Sequence, residues 1–347
     1  MGPEMRNMQA EYRSRLAAKE ERLDLSKLAP LGTPFVLIVD PASNCNLKCR
    51  FCPTGHPDLI KATGRYQGSM SLEIFKKLID DLSDFPNPVK VLRLFKEGEP
   101  LMNKQLSEMI LYARQSKHIK RIDTTTNGVL LTPANSEKII SAGIDQINIS
   151  VNGLNENQFL ELVKTKVNFE RYVKNIEYLY SIKGNCTIYI KAIQENLSQD
   201  DQKKFLDIFG GIADRVFFEH LFPNWPGFDD EIIPKDSKVA LYGGEVKEQS
   251  VCPYIFYTTT VNSDGTVSLC IQDWARNLVV GDIKSQTLSE IWNGTAITKH
   301  RVSHLKGCRK DNKTCGDCGV MSYSLYDDLD TNASAILHRI ESKSFYV

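Results

Sequence analysis

Cys45, Cys49 and Cys52 stand together in the run from Pro41 to Cys52. Thiolates are soft ligands, and three at this spacing can wrap a cubane iron-sulfur cluster. A 4Fe-4S cluster has four irons, so three protein ligands leave one iron open to an exogenous chelate. That open position is where chemistry becomes possible. A zinc or ferredoxin-type site needs a fourth ligand close by, and none follows.

A second set, Cys252, Cys270, Cys315 and Cys318, lies in the last third of the chain. Two of its members flank a turn and two form a Cys-x2-Cys loop. Four thiolates complete either a second iron-sulfur cluster or a structural zinc ribbon. Cys186 opens an apolar run and reads as a small buried hydrophobe. Cys308, in Leu305-Lys306-Gly307-Cys308-Arg309, is the one thiol left for catalysis, an ordinary loop residue or an alternative cluster ligand.

Elements that position these residues follow from periodicity. Phe35 to Asp40, Lys90 to Phe95, Arg121 to Thr126, Gln146 to Val151, Cys186 to Ile193 and Arg215 to Glu219 are β-rich and read as strands. Helical patterns fall at 71–83, 104–115, 133–142, 169–182 and 199–209. Thr132, Pro133 and Gly143 supply a cap, a first-turn proline and a terminal glycine for the third of these. Repeated βα crossovers demand a parallel sheet. The expected fold is therefore α/β, a partial (β/α)6 TIM-like barrel, with a doubly wound sheet as the second choice. The first cysteine loop then sits at a strand's C-terminal end, where barrels build active sites.

After Glu219 the rhythm stops at Pro223, Pro226 and Gly227. Tyr254 to Val261 and Thr266 to Cys270 flank Asn262-Ser263-Asp264-Gly265, a hairpin signal. The expected domains are an N-terminal helical extension at 1–33, the barrel at 34–222, a small β-hairpin iron-sulfur domain at 223–320 and a C-terminal helical tail at 321–347. With 43 basic and 43 acidic residues among 347, no basic field points to nucleic acid or a membrane surface. The first thirty residues hold no apolar run, so a cytoplasmic, reducing location is expected, in which nine cysteines favour metal ligation over disulfides.

The Cys-x3-Cys-x2-Cys loop, with Phe51 just before its third cysteine, resembles the signature of the radical S-adenosylmethionine (SAM) superfamily. Gly98-Glu99-Pro100-Leu101 resembles that family's Gly-Gly-Glu-Pro turn, with Glu97 in place of the first glycine. Thr125-Thr126-Asn127-Gly128 and Ser150-Val151-Asn152-Gly153 resemble its strand-end segments. The C-terminal cysteines, with Leu288 to Asn293 and Arg301, resemble the Twitch form of the SPASM auxiliary-cluster domain, as in the 2-deoxy-scyllo-inosamine dehydrogenases. The resemblance implies two 4Fe-4S clusters, SAM bound at Phe51, Gly98, Glu99, Pro100, Thr126, Asn127, Ser150 and Asn152, a 5'-deoxyadenosyl radical, and a reductant such as flavodoxin or ferredoxin.

Reaction outcome divides two ways. A sugar or cyclitol carbinol carbon loses hydrogen, and Cys308 returns one from the opposite face, as in the aminoglycoside epimerases. Alternatively a base takes the hydroxyl proton and the auxiliary cluster takes the electron, giving a ketone. The epimerase is the first expectation, resting on Cys308 alone; a peptide is the runner-up substrate. Lys96, Glu97, Lys191, Glu195, Glu219, His220, Asn224 and Trp225 are candidate substrate contacts. Lys96 and Glu97 are expected to project into the cavity where the glycine is lost.

Overall fold

The computed structural model describes residues 9–14, 23–324 and 326–342. Its centre is six parallel strands: β2 (Val36–Val39), β3 (Val89–Leu94), β4 (Ile119–Thr126), β5 (Gln146–Val151), β6 (Thr187–Ile193) and β7 (Arg215–Glu219). With β1 (Glu11–Tyr12), β8 (Thr258–Val261), β9 (Thr266–Ser268) and β10 (Val279–Asp282) they form one sheet in the order β1-β7-β6-β5-β4-β3-β2-β8-β9-β10. This is the partial barrel with an added hairpin layer that the sequence leads one to expect.

Period two along the strands separates two environments. Leu37, Val39, Leu92 and Leu94 bury against the helices, while Val36, Ile38, Arg93 and Phe95 face a central cavity. Helices at Leu72–Asp80, Leu106–Gln115, Pro133–Ser141, Phe169–Ile182 and Gln199–Phe209 form the outer layer. Their starts are specified locally. Ser71 and Thr132 accept from Ile74 N and Asn135 N, and Ser198 with Asp201 makes a reciprocal capping box.

Within the barrel, the helices Pro57–Thr63 and Glu156–Val163 escape the sequence reading. The first begins directly after the cysteine loop and stops at Gly64, whose φ of 67° ends it. The second shares a single crossover with the helix at 169–182. The C-terminal half also differs in detail. Tyr254–Tyr257 is a helical turn rather than strand, and β8 begins only at Thr258. β8 then pairs in parallel with β2, Val36 opposite Thr258 and Val39 opposite Val261, so the hairpin continues the barrel sheet.

Within the N-terminal extension, residues 1–8 and 15–22 lie outside the described residues. The part described holds β1, paired in parallel with β7, and one helical turn at Leu25–Leu28. A helix at Ala333–Glu341 follows near the end, with 343–347 outside the described residues; Arg339 donates to Ala29 O and Ser26 O at 2.7 Å each. Trp292 and Arg301 are almost fully buried: the indole donates to Leu31 O at 2.9 Å and the guanidinium lies 4.0 Å from the Trp292 ring centroid. They tie the hairpin layer to the segment entering β2. Among the described residues no helix is long and apolar enough to cross a membrane.

Candidate functional site

Cys45, Cys49 and Cys52 lie in the loop leaving β2, which is pinned from several sides. Ser43 N donates to Gly68 O at 2.9 Å, Lys48 N to Val163 O at 2.9 Å and Arg50 N to Leu162 O at 3.1 Å. Gly55 packs so closely that a Cβ there would stand 2.2 Å from Cys49 O. Burial raises all three thiols, Cys45 to about 12, and the neighbouring thiols raise Cys45 and Cys49 further. Three converging thiolates would repel one another, which together with burial is why the thiols are held protonated here. Cluster irons, which supply positive charge, reverse that logic, so the donor set fits the implied iron-sulfur group.

The glycine turn closes over this loop. A Cβ on Gly98 would lie 1.9 Å from Ala42 O and 2.5 Å from Asn44 O, and Glu99 N donates to Asn44 O at 3.0 Å. Only glycine permits that approach. Asn103, just beyond Pro100, donates to Pro41 O at 2.8 Å and Met70 O at 3.0 Å. The Glu99 carboxylate turns inward, accepting from Thr126 Oγ1 at 2.7 Å and from the backbone nitrogens of Asn127 at 2.8 Å and Leu101 at 3.1 Å. Glu99 and Thr126 thus clasp β4 to the turn. Asn127 donates to Asn46 Oδ1 at 2.8 Å, bracing the cysteine loop. Thr125, Ser150 and Asn152 instead face open space.

Beside the turn lies a buried ionic network. Lys96 pairs with Glu97, whose other oxygen lies 3.1 Å from Arg276 Nη2; that guanidinium is also 3.5 Å from Asp40. Arg276 has a left-handed backbone, φ 60°, and also donates to Asn262. Burial, then the Glu97 charge, push Asp40 up to about 6 against the opposing cations Arg276, Lys96 and Arg65. The expectation for Lys96 and Glu97 is therefore half corrected. Lys96 lines the cavity, but Glu97 is drawn to Arg276 and joins the turn to the hairpin layer.

Two cavities of about 420 and 220 Å³ share Phe51, Ser150, Lys191, Glu219, Asn224 and Trp225 as wall. Cys52 lines the smaller, and Ile271 and Gln272, following Cys270, line the larger. Lys191 Nζ sits 2.5 Å from Glu219 Oε2, while Glu219 Oε1 is buried without a partner. His220 faces the smaller cavity and its Nδ1 lies 2.8 Å from Glu195 Oε1. Arg93, Tyr242, Tyr254, Tyr257 and Gln272 also line the larger cavity and are missing from the sequence reading. Arg93 was findable, since it alternates with Leu92 and Leu94 along β3.

Cys252, Cys270, Cys315 and Cys318 face one small void with His304 and Arg309. Burial raises Cys252 to about 12 and Cys315 to about 11, with the Cys318 charge next in each case. Asn312 accepts from Cys315 N at 3.1 Å, and Asp273 organises the loop after Cys270 by accepting from Asn277 N and Leu278 N at 2.8 and 2.9 Å. This donor set also fits a cluster. Gln272, whose amide donates to Asn224 at 2.9 Å, lines both this void and the large cavity. Cys308 does not join them. It is exposed and lines none of these cavities, because Gly307, at φ 76°, turns the chain away after the helix at Thr295–Leu305.

Residues 39–201 match the radical SAM superfamily, and residues 252–319 match SPASM, an iron-sulfur cluster-binding domain. An AdoMet-dependent heme synthase of Methanosarcina barkeri is 27% identical over 338 residues, covering 85% of this chain and 90% of that protein. An Fe-coproporphyrin III synthase of the same organism is 34% identical over 121 residues, so that the match spans 28% of its length. Among solved structures, BtrN in complex with AdoMet and 2-DOIA superposes with a TM-score of 0.54 at 19% identity, over 85% of this chain and 97% of that one.

Replacing Cys45, Cys49 and Cys52 together with alanine is expected to abolish SAM cleavage while preserving the iron and sulfide of one cluster. Anaerobic metal analysis and assay of 5'-deoxyadenosine check this; continued 5'-deoxyadenosine formation contradicts it. Asp40 gives a pH signature. Its carboxyl is raised from an ordinary value near 3.8 to about 6. Its contribution to stability is therefore complete below pH 4 and lost as pH rises through 6. Asp40→Asn should remove that loss, worth at most about 3 kcal/mol at about 1.4 kcal/mol per unit. Urea denaturation at pH 4.5 and 7.5 should show a smaller pH difference for the variant; equal differences contradict the assignment.

Proposed function

Because this chain belongs to the radical SAM superfamily and carries a C-terminal SPASM iron-sulfur domain, we propose that it oxidises a secondary alcohol of a cyclitol or sugar to a ketone. The observation that carries this reading is Glu219, with one oxygen on Lys191 and the other buried and unpartnered at the cavity wall. When bound, the two clusters and SAM supply a 5'-deoxyadenosyl radical and a one-electron acceptor. The radical so supplied would take the carbinol hydrogen as an atom, giving 5'-deoxyadenosine. Glu219 Oε1 would accept the hydroxyl proton while Lys191 holds the second oxygen in place, and a cluster held by Cys252, Cys270, Cys315 and Cys318 would supply the acceptor for the one remaining electron. The product has two hydrogens fewer than the substrate.

Redox-neutral inversion requires a hydrogen donor at the opposite face. The exposed position of Cys308 deprives the epimerase reading of the thiol on which it rested. A peptide fits less well than a ring-sized molecule in a cavity of about 420 Å³. Aromatic walls from Phe51, Phe95, Trp225 and Tyr257 suit the apolar faces of a polyol ring, and Asn224 and Gln272 suit its hydroxyls.

The heme synthase relative, similar over most of both chains, supports a tetrapyrrole as a second reading. Against it, the cavity cations are already paired: Lys96 with Glu97, Lys191 with Glu219, and Arg93 with Asp123 at 3.6 Å. A polycarboxylate would have to break those pairs.

Glu219→Gln should lower ketone formation at least 100-fold, the range for loss of a general base, while 5'-deoxyadenosine is still released without product. The assay uses reduced protein, SAM and a panel of 2-deoxy-scyllo-inosamine, other cyclitols, glycosides and a coproporphyrin. Undiminished ketone formation by the variant, or turnover of the coproporphyrin alone, overturns the reading.

A further inference from the structure

His304, in the last turn of the helix at Thr295–Leu305, is 2% exposed, and neither of its ring nitrogens has a hydrogen-bond partner. Arg309 follows at 6% exposure. One of its amino groups donates to Cys315 O, its Nε has no partner, and no carboxylate pairs with it among the described residues. Burying a cation without an anion and an imidazole without a partner is costly, and such groups normally shift until they are satisfied. Both side chains line the void on which Cys252, Cys270, Cys315 and Cys318 converge. That void is where the missing partner belongs.

We propose that His304 and Arg309 are tuning residues of the auxiliary cluster, an N–H donor and a buried counter-cation that together stabilise its reduced form. A four-iron core held by four thiolates is anionic, and one-electron reduction adds a further negative charge without taking up a proton. A fixed cation and a hydrogen bond to sulfur both favour the more negative state and raise the reduction potential. An imidazole carries at least one N–H whatever its charge, so the role does not depend on titration. Most of the remaining wall, Leu269, Leu278 and Met321 among it, is apolar, with Gln272 and Thr314 its polar members, and it magnifies the effect of a single charge. The inference rests on the auxiliary cluster and deepens its part as electron acceptor, yet is independent of which alcohol is oxidised.

The test uses the full chain with Cys45, Cys49 and Cys52 replaced by alanine, so that one cluster remains and no SAM chemistry intervenes. Its midpoint potential is measured by EPR-monitored titration. Arg309→Gln should shift the reduction equilibrium at least tenfold toward the oxidised cluster, about 59 mV for one electron, and Arg309→Lys should restore most of it. His304→Leu should shift it the same way by a smaller factor. Because Arg309→Gln could impair cluster loading, a second measurement uses no substitution there: histidine labelled with nitrogen-15 should give a hyperfine coupling to the reduced cluster that disappears in His304→Leu. Fully loaded Arg309→Gln at the unchanged potential, or absence of the coupling, overturns the proposal.

Discussion

Strand β2 is paired in parallel on both flanks, to β3 and to β8, and the arrangement of both cysteine sets depends on that double pairing. The loop bearing Cys45, Cys49 and Cys52 leaves the end of β2, while β8 is preceded by Cys252 and returns through β9 to Cys270. A hairpin joined only by a linker would let the two sites drift. A shared ladder of backbone hydrogen bonds fixes the distance, since slipping the register by one residue would turn every side chain of β8 to the wrong face. Four β-branched residues, Thr258 to Val261, all buried, hold that register.

The second constraint is electrostatic. Where the related turn has glycine, this chain has Glu97, and the charge is accommodated by Lys96 on one side and Arg276 on the other. A buried set of this kind adds little net stability, because desolvation offsets attraction, but removing one member leaves another unpaired. It acts as a geometric lock. Arg276 holds an unfavourable backbone conformation to reach both Glu97 and Asp40, which ties the turn at Gly98 to the segment after Cys270. Auxiliary-domain position and turn geometry are thereby coupled through four side chains.

Much of this was legible in the sequence, for reasons that are local. Ligation demands thiols at set spacings, so the two cysteine groups stand out from composition. Strands β5 and β7 and the helices at 169–182 and 199–209 have clear periodicity and end where they were expected. What could not be read is non-local. Nothing in Thr258-Thr-Thr-Val261 announces that its partner is Val36–Val39. Glu99 and Thr126 stand in separate motifs, and neither announces the hydrogen bond that joins them, while Cys308 looks poised until Gly307 turns it outward. Arg309 and His304 attract no notice in sequence, because an unpartnered buried group is recognised only from its surroundings.

The central claim is that hydrogen leaves a carbinol carbon permanently rather than being replaced. Its most direct measurement is product mass from a substrate deuterated at that carbon and turned over in ordinary water, with a parallel run of unlabelled substrate in deuterated water. The account predicts deuterium in 5'-deoxyadenosine, and a product from the unlabelled run two mass units lighter than substrate with no solvent deuterium on carbon. An isomer of substrate carrying one solvent deuterium at the same carbon would contradict it.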